Sequence, residues 1–367
     1  MTRKPGPADE AFMALALAEA KRALGRTHPN PAVGAVLVKG GRVVGRGFHA
    51  RAGEPHAEIV ALKAAGKRAR GATLYSTLEP CNHFGRTPPC TEAIIAAGVR
   101  RVVYGSSDPN PLVDGKGKRR LLKAGLAVLP HVLRAEADEL NRPFFKAITT
   151  GRAWVTLKAG VTLDGKLATG TGQSKWITSE EARREAHRLR NRCDAILVGA
   201  NTVRLDDPEL TTRLPKGRSP VRLVLDPELA TDPNAKVYSD AGDVRRIVLA
   251  RDERCAGAEA FRARGVEVWP LEVRDGQVRL AGVLERLVKE GLMHLLVEGG
   301  SLVHQSFLRE GLADEVVLFV APKLFGDPGR TWTGALEITD PAKAVRLVDL
   351  QARPIGPDLM ISARLAR

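Results

Sequence analysis

The residues best suited to chemistry are a histidine, a glutamate and two cysteines in two nearby segments. His56 and Glu58 stand in EPHAEIVAL, and Cys81 and Cys90 stand in TLEPCNHFGRTPPCTEAIIAAGV. One imidazole and two thiolates can fill three corners of a zinc tetrahedron and leave the fourth open for water, whose pKa zinc lowers toward about 7. Glu58 can then move a proton without being a ligand. We therefore predict His56, Cys81 and Cys90 as metal ligands and Glu58 as the catalytic proton carrier.

The pattern H-x-E followed by P-C is typical of zinc deaminases that act on nucleobases. Either half of the pattern alone would indicate only a surface helix or a packing loop. A structural zinc site would normally offer a fourth ligand, and the candidate in this stretch, His83, lies too close to Cys81 to be our choice. The sequence therefore favours a catalytic zinc over a structural one.

The spacing of the cysteines bears on the substrate class. Eight residues separate Cys81 from Cys90, whereas two separate the cysteines of the nucleoside and nucleic-acid deaminases. We expect this longer loop to enter the mouth of the cleft and to meet a polar ligand that carries a phosphate. The loop offers four polar side chains for that purpose: Asn82, His83, Arg86 and Thr87.

Length and composition indicate two globular domains, which we place at residues 1–150 and 151–367, because single cores stop growing well below 367 residues. The sequence contains no run of about 20 apolar residues, which is the length needed to span a membrane. The charged amino terminus does not resemble a signal peptide. We expect a cytoplasmic protein in which Cys193 and Cys255 are reduced packing residues.

The net charge of +15 is unevenly distributed, with +12 in residues 1–150 and +3 in the remainder. A basic surface is compatible with nucleic acid and equally with a phosphorylated small molecule. Aromatic residues make up only 4% of the chain, so platforms for stacking single-stranded bases are scarce. We therefore expect a small phosphorylated substrate, with neither nucleic acid nor a membrane as a partner.

Helix and strand patterns place these residues in layered α/β domains. Asn30, held between two prolines, precedes the strand VGAVLV, which we expect to pair with VVGRGF as a hairpin. Asn30 could read an amide edge of a ligand or belong to an ordinary turn. After Cys90, helices and strands alternate, as in an α/β sandwich. Further along, Thr178 and Glu181 predict a capping box at the start of a charged helix.

Two polar strand ends stand out in the second half. In HLLVEGGSLV a buried strand ends at Glu298, and Gly299 and Gly300 would let a diphosphate approach the backbone at the start of a helix. The glycines do not form the G-x-G-x-x-G fingerprint, which argues against a Rossmann domain. In ILVGANTVRLDDPELTTR a second strand runs into a polar turn, which is either an ion-pair network or a ligand site. From the residues alone, the second half is a nucleotide-binding α/β domain.

The sequence resembles a family over nearly its whole length, the bifunctional deaminase/reductase of riboflavin biosynthesis. The resemblance is carried by THPNPAVGAVLV, GEPHAEIVAL, TLEPCNHFGRTPPC, GQSKWITSEEAR, TVRLDDPELTTR and VEGGSLV. It implies a cytidine-deaminase-like α/β/α domain followed by a dihydrofolate-reductase-like α/β domain. It also implies one zinc per chain, NADPH as hydride donor and a phosphorylated pyrimidine substrate. We expect a homo-oligomer.

The resemblance also assigns residues in the second half. It implies that the following bind the cofactor: Gly160, Trp176, Thr202, Asp206, Gly300, Ser301, Leu302, Val303, His304, Gln305 and Ser306. It implies that the following bind the substrate: Ser174, Arg190, Leu210, Arg213 and Glu298. On chemical grounds we add Lys158, expected at a strand end, and in the first half Asn30 and His83. Pro227 departs from the family, which often has a hydroxyl residue in contact with the cofactor there.

Two other functions are compatible with parts of the sequence. A nucleic-acid deaminase of the tRNA-editing kind, with an accessory nucleotide-binding domain, would explain the basic first half, although neither the long cysteine spacing nor the second half fits it. A zinc-stabilised nucleotide-binding regulator would require zinc with no open coordination position.

Overall fold

The computed structural model describes residues 4–83, 88–110, 115–214, 217–239, 244–274 and 277–366. The chain divides into two compact units, Met1–Gly151 and Arg152–Arg367. Two residues predicted to face the first cleft, Arg86 and Thr87, lie outside the described ranges. Among the helices of those ranges, none is long and apolar enough to cross a membrane.

The first unit alternates helices and strands after an opening helix and hairpin. Its helices are α1 (Pro7–Lys21), α2 (Ala57–Ala65), α3 (Cys90–Ala96), α4 (Lys116–Lys123), α5 (Arg134–Leu140) and α6 (Arg142–Thr150), with a 3-10 turn at Gly66–Ala69. Its strands are β1 (Gly34–Lys39), β2 (Arg42–Phe48), β3 (Thr73–Leu78), β4 (Arg101–Ser106) and β5 (Ala127–Leu129).

The sheet of the first unit has the order β2-β1-β3-β4-β5 and lies between two layers of helices. β1 pairs antiparallel with β2, which confirms the predicted hairpin, and β3, β4 and β5 run parallel. Along β1, Ala35 and Leu37 pack with α2 and α3, while Val36 and Val38 pack with α1 and α5. Because alternate side chains bury both faces, the unit is the predicted three-layer α/β/α domain.

Two glycines on β2 allow α2 to lie directly on the sheet. A Cβ on Gly45 would lie 2.4 Å from the carbonyl oxygen of Ala61, and a Cβ on Gly47 would lie 2.5 Å from that of Ala57. Both distances are well below van der Waals contact, so a larger residue would displace the helix. Since His56 is the N-cap of α2, the two glycines fix the position of this predicted ligand relative to the sheet.

The second unit is a larger α/β domain. Its helices are α7 (Glu180–Arg192), α8 (Ala200–Asp206), α9 (Ala256–Arg262), α10 (Ala281–Lys289) and α11 (Ser301–Arg309), with 3-10 turns at Lys236–Tyr238 and Pro341–Lys343. Its first strands are β6 (Trp154–Thr162), β7 (Lys166–Ala168), β8 (Ala195–Gly199), β9 (Val221–Leu225), β10 (Arg246–Ala250) and β11 (Glu267–Pro270). The remaining strands are β12 (Glu272–Arg274), β13 (Gln277–Arg279), β14 (His294–Val297), β15 (Glu315–Ala321), β16 (Arg330–Thr331), β17 (Leu347–Ile355) and β18 (Asp358–Leu365).

A nine-stranded sheet in the order β11-β10-β9-β8-β14-β6-β15-β18-β17 forms the centre of the second unit. The strands from β11 to β15 run parallel, and β18 and β17 extend the sheet as antiparallel strands. In parallel sheets the strand ends that precede helices form a ligand-binding edge. Here β8 ends before α8 and β14 ends before α11, so both polar strand ends singled out in the sequence lie on this edge.

The prediction of a capping box that starts at Thr178 is wrong. The N-cap lies one residue later, and its backbone N–H bonds to a different acceptor. Ser179 is the N-cap of α7, and its hydroxyl accepts the Ala182 N–H at 3.2 Å. The N–H of Ser179 donates to Asp358 at the start of β18, at 2.7 Å. An acceptor from a distant strand therefore replaces the local glutamate that a capping box would use.

We predict that Gly47→Ala lowers the free energy of unfolding by about 1–3 kcal/mol, because the added methyl group overpacks the contact between α2 and the sheet. The same variant should bind zinc more weakly, since the N-cap of α2 moves. Urea denaturation and zinc content measure the two effects. Gly282→Ala is the matched control, because its Cβ would lie at an ordinary 3.6 Å from Glu272. Equal behaviour of the two variants would contradict the role of Gly47.

Candidate active sites

The first site is a cluster of one imidazole and two sulfurs at the amino-terminal ends of two helices. His56 is the N-cap of α2, Cys90 is the first residue of α3, and Cys81 follows β3. The Nδ1 atom of His56 lies 3.1 Å from Sγ of Cys90 and 3.6 Å from Sγ of Cys81. All three candidate ligand atoms lie within 4.8 Å of one another. The structure therefore brings the three predicted ligands together.

This donor set fits zinc. Zinc binds tetrahedrally with bonds of about 2.0–2.3 Å to nitrogen and sulfur, so its ligand atoms lie roughly 3–4 Å apart. In the described part of the chain, the cluster contains three such residues and no fourth. Three protein ligands are the number found in catalytic zinc sites, where the fourth position belongs to water or substrate.

Glu58 lies in the first turn of α2, next to the cluster. Its Oε2 atom lies 3.7 Å from Sγ of Cys90. The side chain is buried, and burial raises the pKa of its carboxyl group. Hydrogen bonding from Cys90 lowers the pKa of Cys81, which favours the thiolate that a metal requires. Glu58 is thus placed as the prediction requires, beside the ligands and able to carry a proton.

A second layer of polar contacts surrounds His56. Nε2 of His49 lies 3.0 Å from Nδ2 of Asn30, and Nδ1 of His49 lies 3.2 Å from the Pro55 carbonyl oxygen. The Asn30 amide can only donate to Nε2, so the His49 ring is the Nδ1–H tautomer that donates to Pro55. The rings of His49 and His56 meet edge to face at 5.5 Å. Asn30 therefore lies in a turn and also belongs to the surroundings of the metal cluster.

Two carboxylates near the cluster were not singled out from the sequence. Glu79 is buried and accepts the backbone N–H groups of Gly115 and Lys118 at 3.3 and 2.9 Å, so it fixes the start of α4. Burial raises the pKa of Asp108 to about 6. The charge of His83, whose buried Nδ1 has no partner among the described residues, opposes this rise. His83, two residues after Cys81, is not one of the three members of the cluster.

The second site is a cavity of about 980 Å³ along the ligand-binding edge of the large sheet. All six residues predicted to bind the substrate in this unit line it: Lys158, Ser174, Arg190, Leu210, Arg213 and Glu298. Most of the predicted cofactor residues also line it: Gly160, Trp176, Thr202, Asp206, Gly300, Ser301, Leu302, Val303 and Ser306. Pro227 lines the cavity as well, so it is placed for an apolar contact.

Two residues in the predicted cofactor run do not line the cavity. His304 is fully buried, and its ring nitrogens lie 3.0 and 3.3 Å from the carbonyl oxygens of Trp332 and Val297. The side-chain amide of Gln305 donates to the Ala335 carbonyl oxygen at 2.6 Å. Both residues lie on α11, where successive side chains point about 100° apart. Their side chains therefore hold the helix in place.

A buried ion pair lies at the base of this cavity. Arg190 donates from Nε and Nη2 to the two carboxylate oxygens of Glu298, at 2.7 and 2.8 Å. Lys158, which the sequence placed at a strand end, lies in the middle of β6, with its Nζ atom 3.6 Å from Glu298. Burial alone would raise the pKa of Glu298, but the charges of Arg190 and Lys158 outweigh it and lower the pKa to about 2.

The upper wall of the cavity offers contacts suited to a dinucleotide. The Gly300 N–H donates to Oγ1 of Thr202 at 3.1 Å, which joins the turn before α11 to α8. Trp176 is 68% exposed, and the Arg183 guanidinium lies 4.5 Å from its ring centroid. Ser174 donates to Asp206 at 3.1 Å. A glycine turn, an exposed indole and convergent hydroxyl groups fit a nucleotide cofactor and leave room for a second ligand.

Known protein families match both units of the chain. The family model described as the cytidine and deoxycytidylate deaminase zinc-binding region matches residues 7–106, and the RibD C-terminal domain matches residues 153–361. The riboflavin biosynthesis protein RibD of Aquifex aeolicus is 49% identical over 96% of this chain and 97% of its own length. The chain belongs to the RibD family. The Escherichia coli RibD protein is 40% identical over 96% of this chain and 98% of its own length.

Solved RibD structures have the same fold along the whole chain. Acinetobacter baumannii RibD superposes with a TM-score of 0.88 at 36% identity, covering 98% of this chain and 99% of that one. A Thermotoga maritima diaminohydroxyphosphoribosylaminopyrimidine deaminase/5-amino-6-(5-phosphoribosylamino)uracil reductase superposes with a TM-score of 0.86 at 38% identity, with the same coverage. The fold prediction, a cytidine-deaminase-like unit followed by a dihydrofolate-reductase-like unit, is confirmed.

Membership of the RibD family also settles the class of the protein. It is a bifunctional enzyme of riboflavin biosynthesis, a deaminase and a reductase, with zinc and NADPH as cofactors and a small molecule as substrate. The alternative of a tRNA-type deaminase with an accessory domain is not favoured, because the RibD C-terminal domain accounts for residues 153–361.

We predict that the purified enzyme contains one zinc per chain and that Cys90→Ala reduces this content to a small fraction. Removing a thiolate leaves two protein ligands, which cannot hold zinc tightly. Cys193→Ala, at a buried cysteine of the second unit, is the control and should keep its zinc. Elemental analysis after dialysis against a mild chelator measures both variants. Full zinc in Cys90→Ala would remove that residue from the ligand set.

We predict that Glu298→Gln lowers the free energy of unfolding at neutral pH by roughly 3 kcal/mol, because it leaves a buried guanidinium without its anion. The carboxylate has a pKa of about 2 in the folded enzyme, against its usual 4.5. Its contribution is therefore fully present above pH 4.5 and is lost as the pH falls from about 4.5 to about 2.

Denaturant unfolding of the second unit between pH 2 and 7 tests this prediction. The wild-type enzyme should lose stability over that window, and Glu298→Gln should lack this component. Glu180→Gln, which breaks an exposed pair with Arg184, is the matched control and should behave as the wild type does. Parallel pH profiles of the wild type and Glu298→Gln would contradict the prediction.

Proposed function

We propose that the first unit deaminates 2,5-diamino-6-ribosylamino-4(3H)-pyrimidinone 5′-phosphate. We propose that the second unit then reduces the ribosyl chain of the product, 5-amino-6-(5-phosphoribosylamino)uracil, to ribityl with NADPH. The observation that carries the first step is the cluster of His56, Cys81 and Cys90 with Glu58 beside it. The domains are residues 1–150 for the deaminase and 151–367 for the reductase, in keeping with the division of the chain at Gly151.

In the deaminase, His56, Cys81 and Cys90 hold the zinc and Glu58 moves the protons. When bound, zinc supplies a Lewis acid and an activated water at the amino-bearing carbon of the pyrimidinone. Glu58 would move one water proton to a ring nitrogen and then the second water proton to the amino group, which leaves as ammonia while the ring carbon keeps the oxygen. Burial raises the pKa of the Glu58 carboxyl group, and a raised pKa makes a carboxyl group a better proton donor. Asn30 and His83 are proposed to contact the pyrimidine.

In the reductase, the cavity aligns two ligands and excludes water. When bound, NADPH would supply a hydride to C1′ of the ring-opened imine, and the imine nitrogen would take up a proton to give the amine. The cofactor is proposed to lie against the predicted residues that line the cavity, from Gly160 and Trp176 to the turn at Gly300. Lys158 lines the cavity beside Glu298, and we propose that it faces the ribose. Holding both reactants at contact distance is the main catalytic effect available to such a cavity.

The substrate phosphate is proposed to bind near Arg213 at the rim of the cavity. Arg213 is half exposed and bonds to Glu209 at 2.8 Å, a pair that an incoming phosphate can replace. Arg190 is less available to a phosphate than Arg213, because three of its donors already bond to Glu298 and to the Thr211 carbonyl oxygen. We therefore assign Arg190 to positioning Glu298 and the turn at Thr211, next to the phosphate site.

We infer that the enzyme is a homo-oligomer that works in the cytoplasm. β17 is an edge strand of the large sheet and is exposed along its length. Val345, Leu347, Val348 and Leu350, on and next to this strand, are between 42% and 64% exposed. An unpaired edge with apolar side chains favours pairing with a second copy. Light scattering should give a mass above that of one chain. Four free cysteines agree with a reducing compartment.

We predict that Glu58→Gln keeps its zinc and loses ammonia release by at least about a hundredfold, the usual size of a general acid–base contribution. Glutamine preserves the shape of the side chain but cannot carry a proton. Glu54→Gln is the control, since Glu54 bonds only to the exposed Arg51 among the described residues. Ammonia release and elemental analysis measure the two properties. Turnover at the wild-type rate in Glu58→Gln would remove Glu58 from the mechanism.

The whole assignment is tested by mass spectrometry of the pyrimidine ribotide incubated with the enzyme. Without NADPH, only the deaminated uracil should accumulate. With NADPH, the ribityl product should replace it, with a mass two hydrogens higher. Reduction before deamination, or ammonia release from tRNA alone, would contradict the proposal.

A further inference from the structure

His187 lies in the reductase cavity, although neither sequence reasoning nor the family resemblance singled it out. It stands on α7 three residues before Arg190 and four after Arg183, and all three residues line the cavity. Residues spaced by three and four positions share one face of a helix. The ring of His187 therefore lies on the cavity face of α7, between the arginine that touches Trp176 and the arginine that touches Glu298.

The two ring nitrogens of His187 have different surroundings. Nδ1 accepts the backbone N–H of Arg213 at 3.3 Å, which ties α7 to the turn that carries the proposed phosphate ligand. Nε2 has no hydrogen-bond partner among the described residues, and it is not sealed from solvent there. An Nδ1 atom that accepts requires the proton on Nε2. The Nε2–H group is therefore a donor left for a ligand in the cavity.

The charges around His187 keep its ring neutral. Burial and the nearby cations Arg190, Arg213 and Lys158 lower its pKa to about 4, and the opposing charge of Glu298 does not reverse this. A neutral ring is needed here, because a proton on Nδ1 would break the bond from the Arg213 N–H. His187 thus acts as an acceptor toward the protein and a donor toward the cavity throughout the physiological pH range.

We propose that His187 is a positioning and specificity-determining residue for the phosphate end of the reductase substrate. Its Nδ1 atom holds the backbone of Arg213, and its Nε2–H group donates to a phosphate oxygen. The ligand class is an organic phosphomonoester, for which a cationic rim residue and a neutral N–H donor are suitable partners. This inference rests on the proposed reductase function and extends it from the predicted ligands to the residue that sets their geometry.

The structure also gives a reason for a histidine at this position. Arg190, a cation of the same helix that also lines the cavity, already bonds to Glu298 and to the Thr211 carbonyl oxygen. Arg213 is exposed and lies outside the helices and strands of the unit, so its position depends on bonds such as the one to His187. A histidine can accept the N–H of Arg213 and also donate an N–H to the phosphate. It therefore couples the position of Arg213 to the binding of the phosphate.

The test compares reductase kinetics of His187→Leu and His187→Gln on the phosphorylated substrate and on the same compound after phosphatase treatment. Leucine removes both hydrogen bonds, whereas the glutamine amide can accept with its oxygen and donate with its nitrogen. We expect His187→Leu to lower kcat/KM for the phosphorylated substrate roughly ten- to a hundredfold, the size expected for a hydrogen bond to a charged group. The effect should lie mainly in KM.

The unphosphorylated substrate should lose less than about threefold, and His187→Gln should recover most of the activity lost in His187→Leu. An equal loss on both substrates would overturn the proposal, because it would indicate a merely structural role. Equal behaviour of the leucine and glutamine variants would also overturn it. His131→Gln, in the first unit, is the matched control and should leave the reduction unchanged.

Two further measurements separate this proposal from the function on which it rests. If the wild type does not reduce the deaminated ribotide, the proposed function fails, and this inference fails with it. If it does reduce the ribotide, NMR of the imidazole nitrogens is decisive. We expect an Nε2–H tautomer at neutral pH whose resonance shifts on saturation with the phosphorylated substrate. An Nδ1–H tautomer, or no shift, would overturn the role of His187 alone.

Discussion

One nitrogen and two sulfur ligand atoms must meet within a few ångströms, and the first unit is arranged around that requirement. His56 and Cys90 are placed at the starts of α2 and α3, while Cys81 follows a central strand. The amino-terminal ends of helices favour thiolates through their exposed N–H groups. Close packing of α2 on glycines of β2 then sets the distance from helix to sheet. The metal site therefore depends on backbone contacts that contain none of its ligands.

The second unit is organised by a different constraint, the burial of an ion pair beneath a ligand cavity. Glu298 directly follows the strand β14, and Arg190 reaches it from α7. Two ionised groups taken out of water must satisfy each other with good geometry, and the bidentate bond does so. It also joins the helix that carries His187 to the strand that leads into the Gly300 turn. Cofactor and substrate residues are thus fixed to one another before either ligand binds.

The sequence predicted much of this, because the decisive signals are local. The ligand triad, Glu58 and the β1–β2 hairpin follow from short motifs, and the order of the two domain types follows from the family resemblance. Contacts between segments that are far apart in the chain could not be predicted from the sequence. The cap of α7 uses Asp358, which comes 179 positions after Ser179. Glu79 fixes the start of α4 across 39 positions. Neither contact corresponds to a recognisable pattern in the sequence.

A run of residues in a motif also conceals which side chains face the ligand. Ser301, Leu302 and Ser306 line the cavity, whereas His304 and Gln305, on the same helix, bond to the protein instead. Helical geometry separates them, and the pattern alone does not reveal which face is turned inward. His187 is the opposite case. Its spacing from Arg190 was a usable signal, because residues three apart on a helix share a face.

The central claim is that zinc is held by one nitrogen and two sulfur ligands, with its fourth position left for water or substrate. X-ray absorption spectroscopy of the purified enzyme tests this directly. We predict two sulfur atoms at about 2.3 Å and two nitrogen or oxygen atoms at about 2.0–2.1 Å, one of which exchanges with solvent or ligand. Three or four sulfur ligands, or a first shell filled by four protein atoms with no exchangeable oxygen, would contradict it.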